Sequence, residues 1–215
     1  ATTGGNVITT GSGSDTIAAG ASTDTVNAGN GIDNIALGTG DAAVDNVIMS
    51  SINAAANRNI VTDFTTGGGA DDTVTLGAAL TTDGTGAGAA VVTASTTSAA
   101  TGGGVYTLTG VTTNAADVIL FTDEIAAANA ANGVLSGALD GTQLLKAMTN
   151  TGADDTYTGI TAVGNSSVYL QAVQASVSYL YHAVDANNDT VMVASEIALI
   201  ATFDSTLDAG SYILA

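Results

Sequence analysis

Asp15, Asp24 and Asp33 stand nine residues apart, and each is followed two positions on by a large apolar residue, Ile17, Val26 and Ile35. The nine residues before them put Asn6 and Ile8 in the same two columns. Gly11, Gly20, Gly29 and Gly38 hold a further column, and Gly13, Gly31 and Gly40 hold another that Ser22 interrupts. A carboxylate that recurs behind a glycine turn points to oxygen-ligand chemistry. If each unit is a glycine turn and a short strand, two units complete one layer. Ile17 and Ile35 then stack in one sheet while Ile8 and Val26 stack in the other. Strands stacked about 4.8 Å apart bring carboxylate over carboxylate along each edge, and like charges that close repel. A hard cation ligated by carboxylate and carbonyl oxygens turns this repulsion into coordination. Ca2+ fits such a site better than Mg2+, because it accepts irregular oxygen geometry where Mg2+ demands a near-ideal octahedron.

The signature extends past its regular stretch. Three extra residues break the frame after Leu37, and Asp45, Asn46 and Val47 restore the Asp-x-apolar pattern. Gly67, Gly68, Asp72 and Val74 fit the columns again, with Asp71 adjacent. GADDTY at 152–157 echoes GADDTV at 69–74, as a further calcium turn or as an ordinary Asp-rich turn. DANNDTVMVASE places Asp185, Asn187 and Asp189 at loop positions 1, 3 and 5 and Glu196 at 12, the ligand spacing of an EF-hand. Position 6 is Thr190 rather than Gly, and the flanks read as strands. The segment is therefore a D-x-N-x-D turn, binding calcium outside an EF-hand or simply solvated in a hairpin.

The nonapeptide columns of residues 4–41 resemble the RTX calcium-binding repeat, G-G-x-G-x-D-x-U-x, with the first glycine replaced by Thr10, Ala19 and Ala28. The resemblance implies a parallel β-roll. It also implies calcium ligation by Asp15, Asp24 and Asp33 with carbonyls of the Gly11, Gly13, Gly20, Gly29 and Gly31 turns, and Asn6 as a neutral ligand. IVTDF at 60–64 is similar to the segment that closes such rolls, and the ending DAGSYILA resembles an uncleaved type I secretion signal. Both imply secretion. Among relatives of this kind the chain is most like Gram-negative surface-layer or other extracellular structural proteins; the calcium-binding, secretion-directing C-terminal module of a larger RTX hydrolase is the alternative, as is an RTX adhesin.

Composition narrows the function. The 215 residues carry 20 Asp plus Glu against 2 Lys plus Arg, a formal net charge of −18. Phosphate binding needs cationic groups, so nucleic acid is excluded as a partner, and an anionic membrane surface falls for the same reason. No apolar run approaches the ~18 residues of a spanning helix. Hydrophobic content is 46% and mean hydropathy +0.37, unlike a disordered acidic tail. With aromatics at 4% and alanine abundant, the core is expected to be thin and built on small side chains. Ala1 opens the chain without a basic or apolar leader stretch, as expected of a processed product or a fragment.

The supporting elements are expected to be mainly β. Residues 1–80 form the calcium β-roll, and 81–215 a β-sandwich-like part with one or two short helices. Strands are predicted at 105–111, 117–121 and 167–184, helices at 123–132 and 140–149, and a long Thr/Ala/Gly loop at 81–104. His182, the only histidine, lies in the apolar run SYLYHAV and reads as a packed sheet residue. There is no Cys nucleophile, G-x-S-x-G elbow or phosphate loop, so catalysis is not expected. The reading is a calcium-dependent, self-assembling protein outside the cell, its partner a second copy and a cell-surface polysaccharide a further possible contact.

Overall fold

The structure, a computed structural model, describes residues 4–39, 42–49, 57–67, 71–76, 91–94, 118–121, 134–149, 156–157, 167–184 and 192–214. The protein is mostly β. Its strands are β1 (Val7–Thr9), β2 (Thr16–Ala18), β3 (Thr25–Asn27), β4 (Ile32–Ala36), β5 (Asn46–Met49), β6 (Arg58–Thr62), β7 (Thr73–Leu76) and β8 (Val91–Ala94). They continue with β9 (Val118–Phe121), β10 (Thr156–Tyr157), β11 (Ser167–Gln174), β12 (Val177–Val184), β13 (Met192–Val193), β14 (Ile197–Phe203) and β15 (Tyr212–Leu214), and one helix, α1 (Thr142–Thr149), is described. The chain forms two compact units: residues 1–79, 176–178 and 200–215 make the first, and 80–175 with 179–199 make the second.

In the first unit the nonapeptide period becomes alternation between two sheets. The odd strands run in the order β1-β3-β5-β7-β15 and the even ones in the order β2-β4-β6-β14, all paired parallel. Ile8 lies beside Val26, and Ile17 beside Ile35, as the columns predict. The inward column of one sheet continues through Val47 and Val74 to Tyr212, and that of the other through Val61 to Phe203. Phe64 meets Phe203 edge to face at 5.1 Å. Each fully buried Val or Ile contributes about 1.5–3 kcal/mol, so this narrow stack of single side chains is a serious fraction of the unit's stability. The glycine column that departs from the repeat is filled by buried Ala19 and Ala28.

Register survives insertion. The separation between equivalent residues of one edge grows from 18 to 21 to 27, yet β3, β5 and β7 stay paired. Loop length adds closure entropy only logarithmically, so longer layers are tolerated when the inward columns still match. The sheets are not closed, and the described strands do not establish a roll beyond these pairings.

The end of the chain departs from the expected division at residue 80. β15 lies parallel to β7, with Tyr212 beside Val74, and the 200–203 part of β14 lies beside β6. An aromatic residue that prolongs the inward column finds its burial there. In the second unit, β8, β9 and β11 pair in parallel, with β12 next in order, and β10 and β13 form a separate antiparallel pair. Among the described residues of this unit these are one main sheet and a two-stranded pair. The residues from Val168 to Gln174 and from Tyr179 to Ala183 are buried without alternation, as in strands covered on both faces. β8 falls inside the predicted 81–104 loop, where Val91 and Val92 supply β-branched residues that the surrounding Ala, Thr and Gly obscured. Helix α1 lies within the predicted 140–149 span and buries Leu144 and Leu145. The 105–111 strand and 123–132 helix lie outside the described residues.

Gly13, Gly20, Gly29, Gly31 and Gly38 take positive φ, whereas Gly11 does not. At Gly31 (φ 134°) a Cβ would overlap the Gly13 carbonyl oxygen of the layer beneath, while one at Gly11 would meet nothing. Gly31→Ala should therefore lower stability by ~2 kcal/mol or more, and Gly11→Ala by less than ~1 kcal/mol, read as shifts in the urea midpoint.

Candidate metal centre

The aspartates of the repeat immediately precede or open the strands, and the chain stacks them in two columns. On the edge feeding the odd strands the column is Asn6, Asp24, Asp45 and Asp72. On the other it is Asp15, Asp33 and Asn59, aligned by the pairing of β2, β4 and β6. Asp24, Asp33, Asp45 and Asp72 are only 1%, 0%, 1% and 2% exposed.

A main-chain N–H separates each carboxylate from its neighbour below. Asp24 Oδ1 accepts from the Asn6 amide nitrogen at 2.7 Å and from its Nδ2 at 2.6 Å. The Asp24 N–H donates to Asp45 Oδ1 at 2.7 Å, and the Asp45 N–H donates to Asp72 Oδ1 at 2.7 Å. On the other edge the Asp15 N–H donates to Asp33 Oδ1 at 2.9 Å. Asp72 closes its column by accepting the Thr65 N–H on Oδ2 at 2.7 Å. Main-chain bonds accompany these, among them Asn34 to the Asp15 carbonyl and Asn46 to the Asp24 carbonyl. Part of the repulsion inferred from the sequence is thus relieved by peptide groups.

The relief is incomplete. Oδ2 of Asp15, Asp24 and Asp33 is buried and has no hydrogen-bond partner. Arg58 is the only Lys or Arg in the first unit, and its Nε is likewise buried without a partner. Burying an ionised carboxylate costs several kcal/mol after relaxation, and one charge-assisted bond returns ~1.5–3 kcal/mol. A second positive group on each Oδ2 would close the gap. The unpartnered atoms are carboxylate oxygens, with no thiol in the chain, so the residues fit a hard cation such as Ca2+. No group of three or more His, Cys, Asp or Glu side chains converges on a point among the described residues, so main-chain oxygens would have to complete any shell.

The glycines of the candidate shell hold the layers together. The Gly11 carbonyl accepts from Asn30 N–H at 2.9 Å and the Gly31 carbonyl from Arg58 N–H at 2.8 Å. Gly13 and Gly20 donate their N–H groups to the Asn30 and Leu37 carbonyls, and Gly29 donates to Asn27 Oδ1. Asp71, beside Asp72, is partly exposed. Gly40, Asp185, Asn187 and Asp189 lie outside the described residues, as do Asp154 and Asp155. Glu196 accepts the Val193 N–H at 3.1 Å and caps a short 3₁₀ turn, Ala194–Glu196.

Three residues of the arrangement were not singled out from the sequence. Asn59 occupies the Asp33 column, two positions before Val61 as Asp33 is before Ile35. That Asn-x-apolar signal was present, but the stretched spacing hid it. Asn57 accepts the Gly31 N–H at 2.9 Å. Asp204 accepts the Asp63 and Phe64 N–H groups at 2.8 and 3.2 Å, with Asp63 at φ 64°. At 140 residues' separation it carries no repeat signal.

In the second unit His182 is buried with its ring 5.2 Å from that of Tyr169, which agrees with a packed sheet residue. Burial pushes the Tyr169 and Tyr181 hydroxyls well above the usual phenol range and keeps them neutral. No described helix is long and apolar enough to cross a membrane. No protein-family model, curated protein or solved structure matches the chain.

Asp24→Ala removes the acceptor for two Asn6 donors and should destabilise the first unit by about 2–4 kcal/mol in urea titrations. Asp208→Ala loses only the cap that this exposed residue places on Gly210 and Ser211 and should cost about 1 kcal/mol.

Proposed function

We propose that the protein is a calcium-dependent, self-assembling extracellular structural protein, a surface-layer or filament subunit of RTX type. Its first unit is a parallel β-roll that calcium completes. The observation that carries this reading is the trio of buried, partnerless Oδ2 atoms on Asp15, Asp24 and Asp33, at the positions where the repeat puts its ligands. Asp45 and Asp72 prolong the column of Asp24, with Asn6 its neutral first member. A bound cation would supply there the positive charge that the peptide N–H groups only partly provide.

The net charge of −18 supports the same reading. Subunits so charged repel one another, and a divalent cation that both completes the fold and screens the surface permits close assembly. In a compartment poor in calcium, carboxylate repulsion and chain entropy outweigh the thin core, and the chain stays extended and exportable. Outside the cell, millimolar calcium supplies folding free energy by binding the folded state alone. A cell-surface polysaccharide is a candidate anchor for the assembly.

Chelation with EDTA should abolish the strand signal of the first unit in circular dichroism and disperse assemblies seen by electron microscopy. Intact assemblies and unchanged strand content in chelator would reject the proposal. Asp24→Asn gives a sharper test, because it keeps an oxygen for Asn6 but removes the buried charge. In chelator the variant should be at least as stable as the wild type. In calcium it should be less stable and need about tenfold more calcium to fold. A variant that tracks the wild type in both conditions would count against a cation at Asp24.

A further inference from the structure

We infer that the Asn30–Gly31 peptide is a latent self-modification site, kept silent by Asn57. Asn-Gly is the sequence most open to attack of a main-chain nitrogen on the preceding side-chain amide, because glycine offers no Cβ to hinder the approach. Asn30 is exposed and forms an isolated parallel bridge with Ser12. The peptide is pinned from two directions. Below, Asn30 N–H donates to the Gly11 carbonyl and the Asn30 carbonyl accepts from Gly13 N–H, both at 2.9 Å. Above, the Gly31 carbonyl accepts from Arg58 N–H at 2.8 Å, and Gly31 N–H donates to Asn57 Oδ1 at 2.9 Å. The nucleophile of the reaction is that Gly31 nitrogen, and Asn57 occupies its proton.

The chemistry is self-contained apart from water. The deprotonated Gly31 nitrogen attacks Asn30 Cγ; the new C–N bond closes a five-membered imide, the Cγ–Nδ2 bond breaks, and ammonia leaves with the proton. Water then opens the imide at either carbonyl, giving aspartate or isoaspartate, with no change of oxidation state. Aspartate adds a negative charge at the turn. Isoaspartate adds a methylene to the main chain directly before Gly31, which has no space above the Gly13 carbonyl. Either product marks a chain whose upper layer has let go of Gly31. The inference needs the first unit folded, so it is tested in the same calcium-containing buffer throughout, and it does not depend on assembly.

Peptide mapping of the folded protein held in mildly alkaline buffer tests it. The chain's other Asn-Gly pair, Asn132–Gly133, serves as internal reference. In denaturant both asparagines should convert at similar rates. In the folded wild type Asn30 should be strongly slowed relative to that rate. Asn57→Ala should accelerate Asn30 about fivefold or more while leaving Asn132 at its wild-type rate. Asn57→Asp, which keeps an acceptor oxygen, should stay near the wild type. Folded wild type converting Asn30 at the denatured rate, or Asn57→Ala leaving Asn30 as slow as before, would overturn the inference. Should Asn57→Ala fail to fold, hydrogen exchange of the wild-type Gly31 amide decides: strong protection supports the role of Asn57, and rapid exchange refutes it.

Discussion

The first unit depends on a hydrogen bond that crosses from one layer to the next: a peptide N–H at the start of one strand donating to an aspartate carboxylate at the start of the strand stacked on it. Asn6 to Asp24, Asp24 to Asp45 and Asp45 to Asp72 repeat it along one edge, and Asp15 to Asp33 repeats it on the other. Each bond holds the side chain of a buried aspartate. Because the ladder uses the main chain, it imposes register on strands as short as three residues, which have little else to fix their pairing. Side chains alone would not do this, since each layer offers one or two inward apolar residues per sheet.

The small residues follow from the same constraint. Layers close enough for these bonds leave no space for a Cβ at Gly29 or Gly31, where the main chain of the layer beneath stands in the way. Alanine fills the next position as Ala19 and Ala28. The result is an unusual balance for a folded unit: buried acids, a single arginine, and a core of stacked Val, Ile and a few aromatics. The carboxylate oxygens left over at Asp15, Asp24 and Asp33 are the point at which this balance is unfinished, and they are the physical ground for proposing a cation.

Much of this arrangement is legible in the residues themselves. A strict period of nine with one charge and one large apolar residue identifies the alternation between sheets, because a register error would expose Ile17 or bury Thr16. The stacking of Ile17 on Ile35 and of Ile8 on Val26 needs no more than that period. What the sequence conceals is long-range. Tyr212 completing the Val74 column, and Asp204 capping the 63–64 turn, depend on chain that returns after more than a hundred residues, and no local pattern encodes the return. Asn59 was hidden by an insertion, and β8 by a composition in which two valines are diluted by alanine, threonine and glycine. The depth of burial of the aspartates was also not foreseen: glycine turns suggest an exposed edge, and the layer-to-layer N–H bonds are what carry the carboxylates inside.

The most direct measurement is a high-resolution crystal structure of the protein grown in calcium, with anomalous scattering used to identify ions. The account predicts separate calcium peaks on the two edges, about 2.3–2.6 Å from Oδ2 of Asp24 on one and of Asp15 and Asp33 on the other, their shells completed by main-chain oxygens. Ordered water or a protein donor at those three oxygens in saturating calcium, with no anomalous peak beside them, would contradict it.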